Sequence, residues 1–176
     1  MWSNKRPVRR RLERNCVDKR QSILLEAMEI ELNGIELYKS VSEKTDDREA
    51  SKMFKFLADE ELKHYNALKK MFDKGKEVKT KLPVMEKISF ERIFSDDFKK
   101  NLKGRNYEFS AISTGLLLEK NSVNFYRTQK EDATDTNEKE LFATLEKWEE
   151  EHYKILEREY ENLKVKFWED NNFYPF

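Results

Sequence analysis

One set of residues recurs in this chain at a fixed offset of 88 positions, and it constrains the fold more than any other feature. The offset relates Glu31 to Glu119, Glu61 to Glu149, His64 to His152 and Tyr38 to Tyr126. Apolar and aromatic positions keep it too: Ile35 and Val123, Phe54 and Phe142, Leu57 and Leu145, Tyr65 and Tyr153, Leu68 and Leu156. The chain therefore reads as two copies of one unit. Within the first copy, Leu24, Ala27, Ile30, Gly34, Ile35 and Tyr38 step by three and four, the period of a helix with one buried face. Each copy is a helical hairpin.

The periodicity predicts a first helix from about Ser22 to Glu43, with Thr45-Asp46-Asp47 as a turn carrying capping residues. The second helix turns Phe54, Leu57, Leu68 and Phe72 inward and ends before Gly75. The third places Ile112, Leu116, Val123 and Tyr126 on one face, to about Lys130. After a turn over Asp132 to Asn137, the fourth carries Phe142, Leu145, Trp148, Leu156 and Leu163. Between the hairpins, Lys76 to Asn106 is weakly periodic, holds Pro83, and is expected to contain a short helix over 96–103. A connection this long suits a crossover from one end of a bundle to the other. The expected fold is all-α, an antiparallel four-helix bundle over 22–164. Residues 1–21 read as a basic, flexible extension, and 165–176 as an aromatic tail packing over a bundle end.

Composition narrows the class. Charged residues make up 40% of the chain and hydrophobic residues 38%, which suits long helices with solvated outer faces. Lys plus Arg equals Asp plus Glu, 35 each, so the protein as a whole is not built for nucleic acid or an acidic membrane. The first twenty residues depart from this balance, with eight Lys or Arg against Glu13 and Asp18; a contact arm for an acidic partner is the alternative to a flexible start. The single cysteine, Cys16, excludes an internal disulfide and a Cys-x-x-Cys metal knuckle. No apolar run approaches the roughly 18–20 residues of a membrane span, and no signal-peptide core follows the basic start. A cytoplasmic protein is expected.

The repeated polar residues point to metal. Glu31 and Glu61 lie fifteen residues either side of Asp46, and Glu119 and Glu149 fifteen either side of Thr134. At about 1.5 Å rise per residue, partners equidistant from a turn share one level in antiparallel helices. Glu31 is thus expected beside Glu61, and Glu119 beside Glu149. In each Glu-x-x-His frame, the i, i+3 spacing sends both side chains to one face, and that face is the apolar one. Four carboxylates converging in a core are prohibitive as bare anions, and two divalent cations remove the problem. Glutamate oxygen with imidazole nitrogen suits iron or manganese, with zinc also admitted. Glu61 and Glu149 are placed to bridge. Tyr38 and Tyr126, two turns beyond Glu31 and Glu119, are candidates to hydrogen-bond the ligand carboxylates, or simple core tyrosines.

The run Ala27-Met-Glu-Ile-Glu31-Leu-Asn-Gly34-Ile-Glu-Leu-Tyr38, then Glu61-x-x-His64, Glu119 with Tyr126, and Glu149-x-x-His152, resembles the rubrerythrin diiron domain of the ferritin-like superfamily. The resemblance spans about residues 22–164 and implies a ferritin-like bundle around two iron ions. It implies Glu31 and Glu119 as terminal ligands, Glu61 and Glu149 as bridges, and His64 and His152 as one nitrogen ligand to each iron. Typical rubrerythrins add a four-cysteine rubredoxin domain, which Cys16 alone cannot build, so the resemblance implies electrons from a separate donor such as a rubredoxin-like protein. They also commonly carry a further Glu one turn after the third-helix ligand, where this chain has Ser122, a departure that bears on peroxidase chemistry. A homodimer, sometimes with exchanged helices, is implied as well.

Three functions follow as expectations. The first is reduction of hydrogen peroxide or dioxygen at a carboxylate-bridged diiron centre, an oxidoreductase role in oxidative stress. The second is a ferroxidase or iron-handling protein. The third is a non-catalytic, metal-stabilised interaction module. Replacing Glu61 or Glu149 with Ala is expected to lower bound metal at both positions, while Tyr38→Phe leaves metal content intact. Metal analysis of the purified variants checks the bridging assignment, which full occupancy in both Glu→Ala variants would overturn.

Overall fold

The computed structural model describes residues 6–74 and 106–170. Among these residues the chain forms four helices and no strand: α1 (Arg6–Lys44), α2 (Arg48–Lys74), α3 (Asn106–Asp132) and α4 (Thr136–Asp170). Short turns make α1 with α2, and α3 with α4, into closely packed antiparallel hairpins, and α1 also meets α3. This is the all-α four-helix bundle expected from the repeat. The crossover, including the short helix expected over 96–103, lies outside the described residues.

The repeat extends to the caps. Asp47 accepts hydrogen bonds from the backbone N–H of Glu49 at 3.0 Å and Ala50 at 2.8 Å, opening α2. Asp135, 88 positions later, accepts those of Asn137 at 2.9 Å and Glu138 at 3.1 Å, opening α4. An Asp at this position satisfies helix donors that otherwise lack partners.

Two ends differ from expectation. The helix α1 begins at Arg6, well before the apolar periodicity starts at Ser22, so the basic run assigned to a flexible extension is helical from Arg6 onward. Pro7 falls in the first turn, where its missing N–H costs nothing, and from Val8 to Arg20 no Gly or Pro interrupts a run rich in good helix formers. Periodicity marks where a helix packs, not where it starts. At the other end α4 continues to Asp170, taking in the first part of the expected tail, and Lys164 Nζ sits 5.1 Å from the centroid of the Trp168 ring. Phe173, Tyr174 and Phe176 lie outside the described residues.

The apolar core is divided in two along the bundle, and each part draws on all four helices. One cluster gathers Tyr38, Phe54, Leu57, Ile112 and Leu156 among others, at the end where α1 turns into α2. The other gathers Leu24, Leu68, Tyr126, Phe142 and Leu145, at the end where α3 turns into α4. The pseudo-symmetry holds in the ring geometry: Tyr38 packs on Phe54 at 6.1 Å between centroids, and Tyr126 on Phe142 at the same 6.1 Å. Polar ties join the hairpins at both ends. Thr45 Oγ1 donates to Glu108 at 3.0 Å, and Arg20 Nε donates to Glu138. Among the described residues no helix is long and apolar enough to cross a membrane.

Asp135→Ala is expected to cost about 1 kcal/mol through loss of the α4 cap. Urea unfolding should show a lower midpoint with an unchanged slope.

Candidate metal centre

Between the two apolar clusters lies a layer of ionisable side chains. Glu31, Glu61, His64, Glu119, Glu149 and His152 are each no more than 1% exposed. One Glu comes from α1 and one from α3; a Glu and a His come from each of α2 and α4. The arrangement follows from the local spacing, since i, i+3 partners share a face and the turn-symmetric positions share a level.

Distances within the layer repeat with the sequence. His64 Nδ1 lies 2.9 Å from Glu149, 3.3 Å from Glu61 and 3.3 Å from Glu31. His152 Nδ1 lies 3.1 Å from Glu61, 3.7 Å from Glu149 and 3.9 Å from Glu119. Glu61 and Glu149 are therefore near both imidazoles, whereas Glu31 and Glu119 each belong to one. Glu61, His64, Glu149 and His152 can each offer a donor atom within 4.8 Å of the others, a group compact enough for a metal ion. All six residues singled out from the sequence thus come together in one layer.

The donor set also fits a metal by its unsatisfied atoms. Oε2 of Glu31, Oε2 of Glu119, both carboxylate oxygens of Glu149, and Nδ1 of His64 are buried without a hydrogen-bond partner. Buried polar atoms are normally paired. Here they converge on one another, hard oxygen donors around imidazole nitrogen, the chemistry that suits iron, manganese or zinc.

The metal-free layer is balanced by protons. Burial, reinforced by the charges of Glu149 and Glu61, holds the Glu31 carboxyl well above its ordinary range. Glu119 is raised likewise, by burial and then by Glu61 and Glu149. Glu61 and Glu149 move the other way: burial pushes both up, and at Glu149 the charge of Glu61 adds to it, but hydrogen bonds and the histidine charges prevail and lower both. For His64, burial opposes the charged form, and the carboxylates led by Glu149 prevail and raise it. His152 is raised in the same way to about 9. The shifts thus favour a proton on Glu31, Glu119, His64 and His152 and disfavour one on Glu61 and Glu149, and a metal would compete with those protons.

The tyrosines are placed where the sequence only allowed a choice. Tyr38 donates its hydroxyl to Glu119, and Tyr126 donates to Glu31. Each tyrosine thus serves the glutamate of the opposite hairpin, because a residue two turns along its own helix is about 10 Å away. Both phenols are held well above their ordinary range, by burial and then by the charge of the glutamate each one meets. They donate without ionising.

Sequence reasoning missed three contributors. Trp148, taken as core, stacks on His64 at 4.8 Å between centroids and 13° between planes. Its counterpart 88 positions earlier is Glu60, so no repeated signal marked it. Gly34 leaves room for Glu61: a Cβ there would lie 3.0 Å from Glu61 Cγ. Gly115 leaves room for Tyr38, since its Cβ would lie 3.2 Å from the phenolic oxygen and 2.9 Å from Leu156 Cδ1. The available signal was glycine inside a helix, which is unfavourable without a packing reason.

Compared with known families, residues 22–160 match the rubrerythrin family model. The chain belongs to the rubrerythrin family. Neither the curated proteins nor the solved structures compared with it gave a match. Rubrerythrin membership implies an iron site, and the buried Glu/His layer is where such a site fits. Ser122, where rubrerythrins were expected to carry a further carboxylate, is buried and donates to the Leu118 carbonyl at 3.1 Å.

The raised histidine sets a pH dependence. A group whose folded pKa exceeds its unfolded value stabilises fully below the unfolded value and loses that contribution as pH rises through the folded one. For His152 the window runs from 6.5 to about 9. Metal-free protein is therefore expected to lose thermal stability across that window, and metal-loaded protein to lose less. Calorimetric melts of both forms test this, and parallel curves would contradict it.

Proposed function

We propose that this protein is a redox protein of the rubrerythrin type, reducing hydrogen peroxide or dioxygen at a carboxylate-bridged pair of iron ions with electrons from a separate donor. The observation that carries the reading is that Glu61 and Glu149 are each near both imidazoles, while Glu31 and Glu119 are near one each. Two such half-sets sharing two carboxylates suit two metals rather than one. Glu31, Glu61, His64, Glu119, Glu149 and His152 would hold the pair, with Glu61 and Glu149 between them. When bound, the iron pair supplies two electrons, so that peroxide with two protons leaves as two waters.

The rest is done by the chain itself. Tyr38 and Tyr126 hold Glu119 and Glu31 in position from the two apolar clusters, and those clusters keep bulk water from both ends of the layer. Trp148 packs His64 against rotation. Within these 176 residues a single cysteine cannot bind a four-cysteine iron, so the proposed electron donor lies outside them.

Anaerobic loading with ferrous iron, followed by stopped-flow mixing with peroxide or with air-saturated buffer, tests the proposal. Two irons per chain, oxidised much faster by peroxide than by dioxygen, is the expected result. Oxidation led by dioxygen with release of iron would instead assign an iron-handling role. Absence of stoichiometric iron binding would overturn both.

A further inference from the structure

A surface cavity of about 300 Å3 lies over the seam between α1 and α3. Part of its lining obeys the repeat: Ile30 and Leu118 are related by 88 positions, and so are Asn33 and Asn121, while Thr114, Leu117 and Ser122 extend it along α3. The same operation exchanges Glu31 with Glu119 and His64 with His152. The cavity therefore straddles the pseudo-twofold axis of the bundle, and that axis passes between the two Glu/His half-sets. Its lining is also next to the ligand glutamates in sequence. Ile30 precedes Glu31, Leu118 precedes Glu119, and Ser122 follows Glu119 by one turn. Both imidazoles come from α2 and α4, so this face of the layer is contributed by the other two helices.

Two small residues lie between this side of the bundle and the layer. Ser122 lines the cavity while being only 1% exposed, which places it at the floor. Its counterpart is Gly34, which leaves no side chain between α1 and Glu61. The Ser122 hydroxyl spends its proton on the Leu118 carbonyl, leaving its lone pairs as acceptors. The exposed amides of Asn33 and Asn121 offer donors and acceptors further out. Ile30, Leu117 and Leu118 make most of the wall apolar, and these few polar groups are the points at which a small hydrogen-bonding molecule would be held on its way in. A second groove, along α3 and α4, is lined by Lys120, Arg127, Glu150 and Lys154, with Arg127 and Glu150 paired at 3.3 Å. It belongs to one hairpin and lies off the axis.

We propose that the α1/α3 cavity is the port by which hydrogen peroxide reaches the two metal positions, and that Ser122 sets its width. The inference rests on the metal-centre reading and goes beyond it by naming the route and the residues that control it. A port slows arrival and departure alike and leaves the binding equilibrium untouched, because it is the same barrier in both directions. A residue that merely supported the ligands would alter the equilibrium instead.

The test uses the full chain loaded with cobalt(II), with azide as a small probe whose binding is followed by the visible cobalt spectrum in stopped flow. Asn121→Trp fills the mouth at an exposed position, and Ser122→Leu fills the floor. Asn124→Trp fills the α3/α4 groove as a control. Two cobalt ions per chain are expected in all three. In the first two, the azide association and dissociation rates should both fall by about tenfold with the dissociation constant unchanged. Asn124→Trp should match the parent chain. Unchanged rates in both Asn121→Trp and Ser122→Leu would overturn the port alone, as would slowing in Asn124→Trp only. Failure of the parent chain to bind cobalt would overturn the metal-centre reading itself.

Discussion

Everything in this bundle is arranged around the burial of four carboxylates and two imidazoles in one layer. Left as bare anions in an apolar interior, the carboxylates would destabilise the fold by far more than a domain of this size can offset. The chain resolves this by pairing. Protons are favoured on Glu31, Glu119, His64 and His152 and disfavoured on Glu61 and Glu149. The groups that favour a proton here are groups for which a cation would compete. Tolerance of the metal-free state and readiness for metal thus have one origin.

The apolar core accommodates this layer by dividing. Tyr38 belongs to one cluster and Tyr126 to the other, and each extends a hydroxyl from its cluster to the polar layer. Gly115 is the reason Tyr38 can lie where it does, and Gly34 the reason Glu61 can. Two residues without side chains therefore set the position of one proton donor and one shared carboxylate. Family membership accounts for the repeated Glu/His pattern, whereas these fits belong to the packing of this chain.

Much of this was legible in the sequence because the repeat made it so. One Glu-x-x-His in a chain of 40% charged residues means little, but the same frame twice at one offset, with an upstream Glu each time, leaves little freedom. The levels of Glu31 with Glu61 and of Glu119 with Glu149 followed from counting away from the turns, and Asp47 and Asp135 closed those turns as capping residues. Illegible features were those that break the repeat or depend on contacts between hairpins. Trp148 has Glu60 as its counterpart, so its stacking on His64 had no twin to announce it. The crossed tyrosine bonds needed the two hairpins placed against each other, which no spacing within one hairpin reports. The early start of α1 was hidden because the run before Ser22 carries no apolar period.

The crossing of those tyrosine bonds bears on how the molecule comes apart. Had Tyr38 served Glu31 and Tyr126 served Glu119, these two hydrogen bonds would have survived separation of the hairpins. As built, neither hairpin can shed its partner without exposing a glutamate that the partner's phenol was satisfying, along with half of each apolar cluster. Separation of the two halves is thereby opposed by two buried hydrogen bonds as well as by the shared apolar clusters, which couples the unfolding of the two repeats.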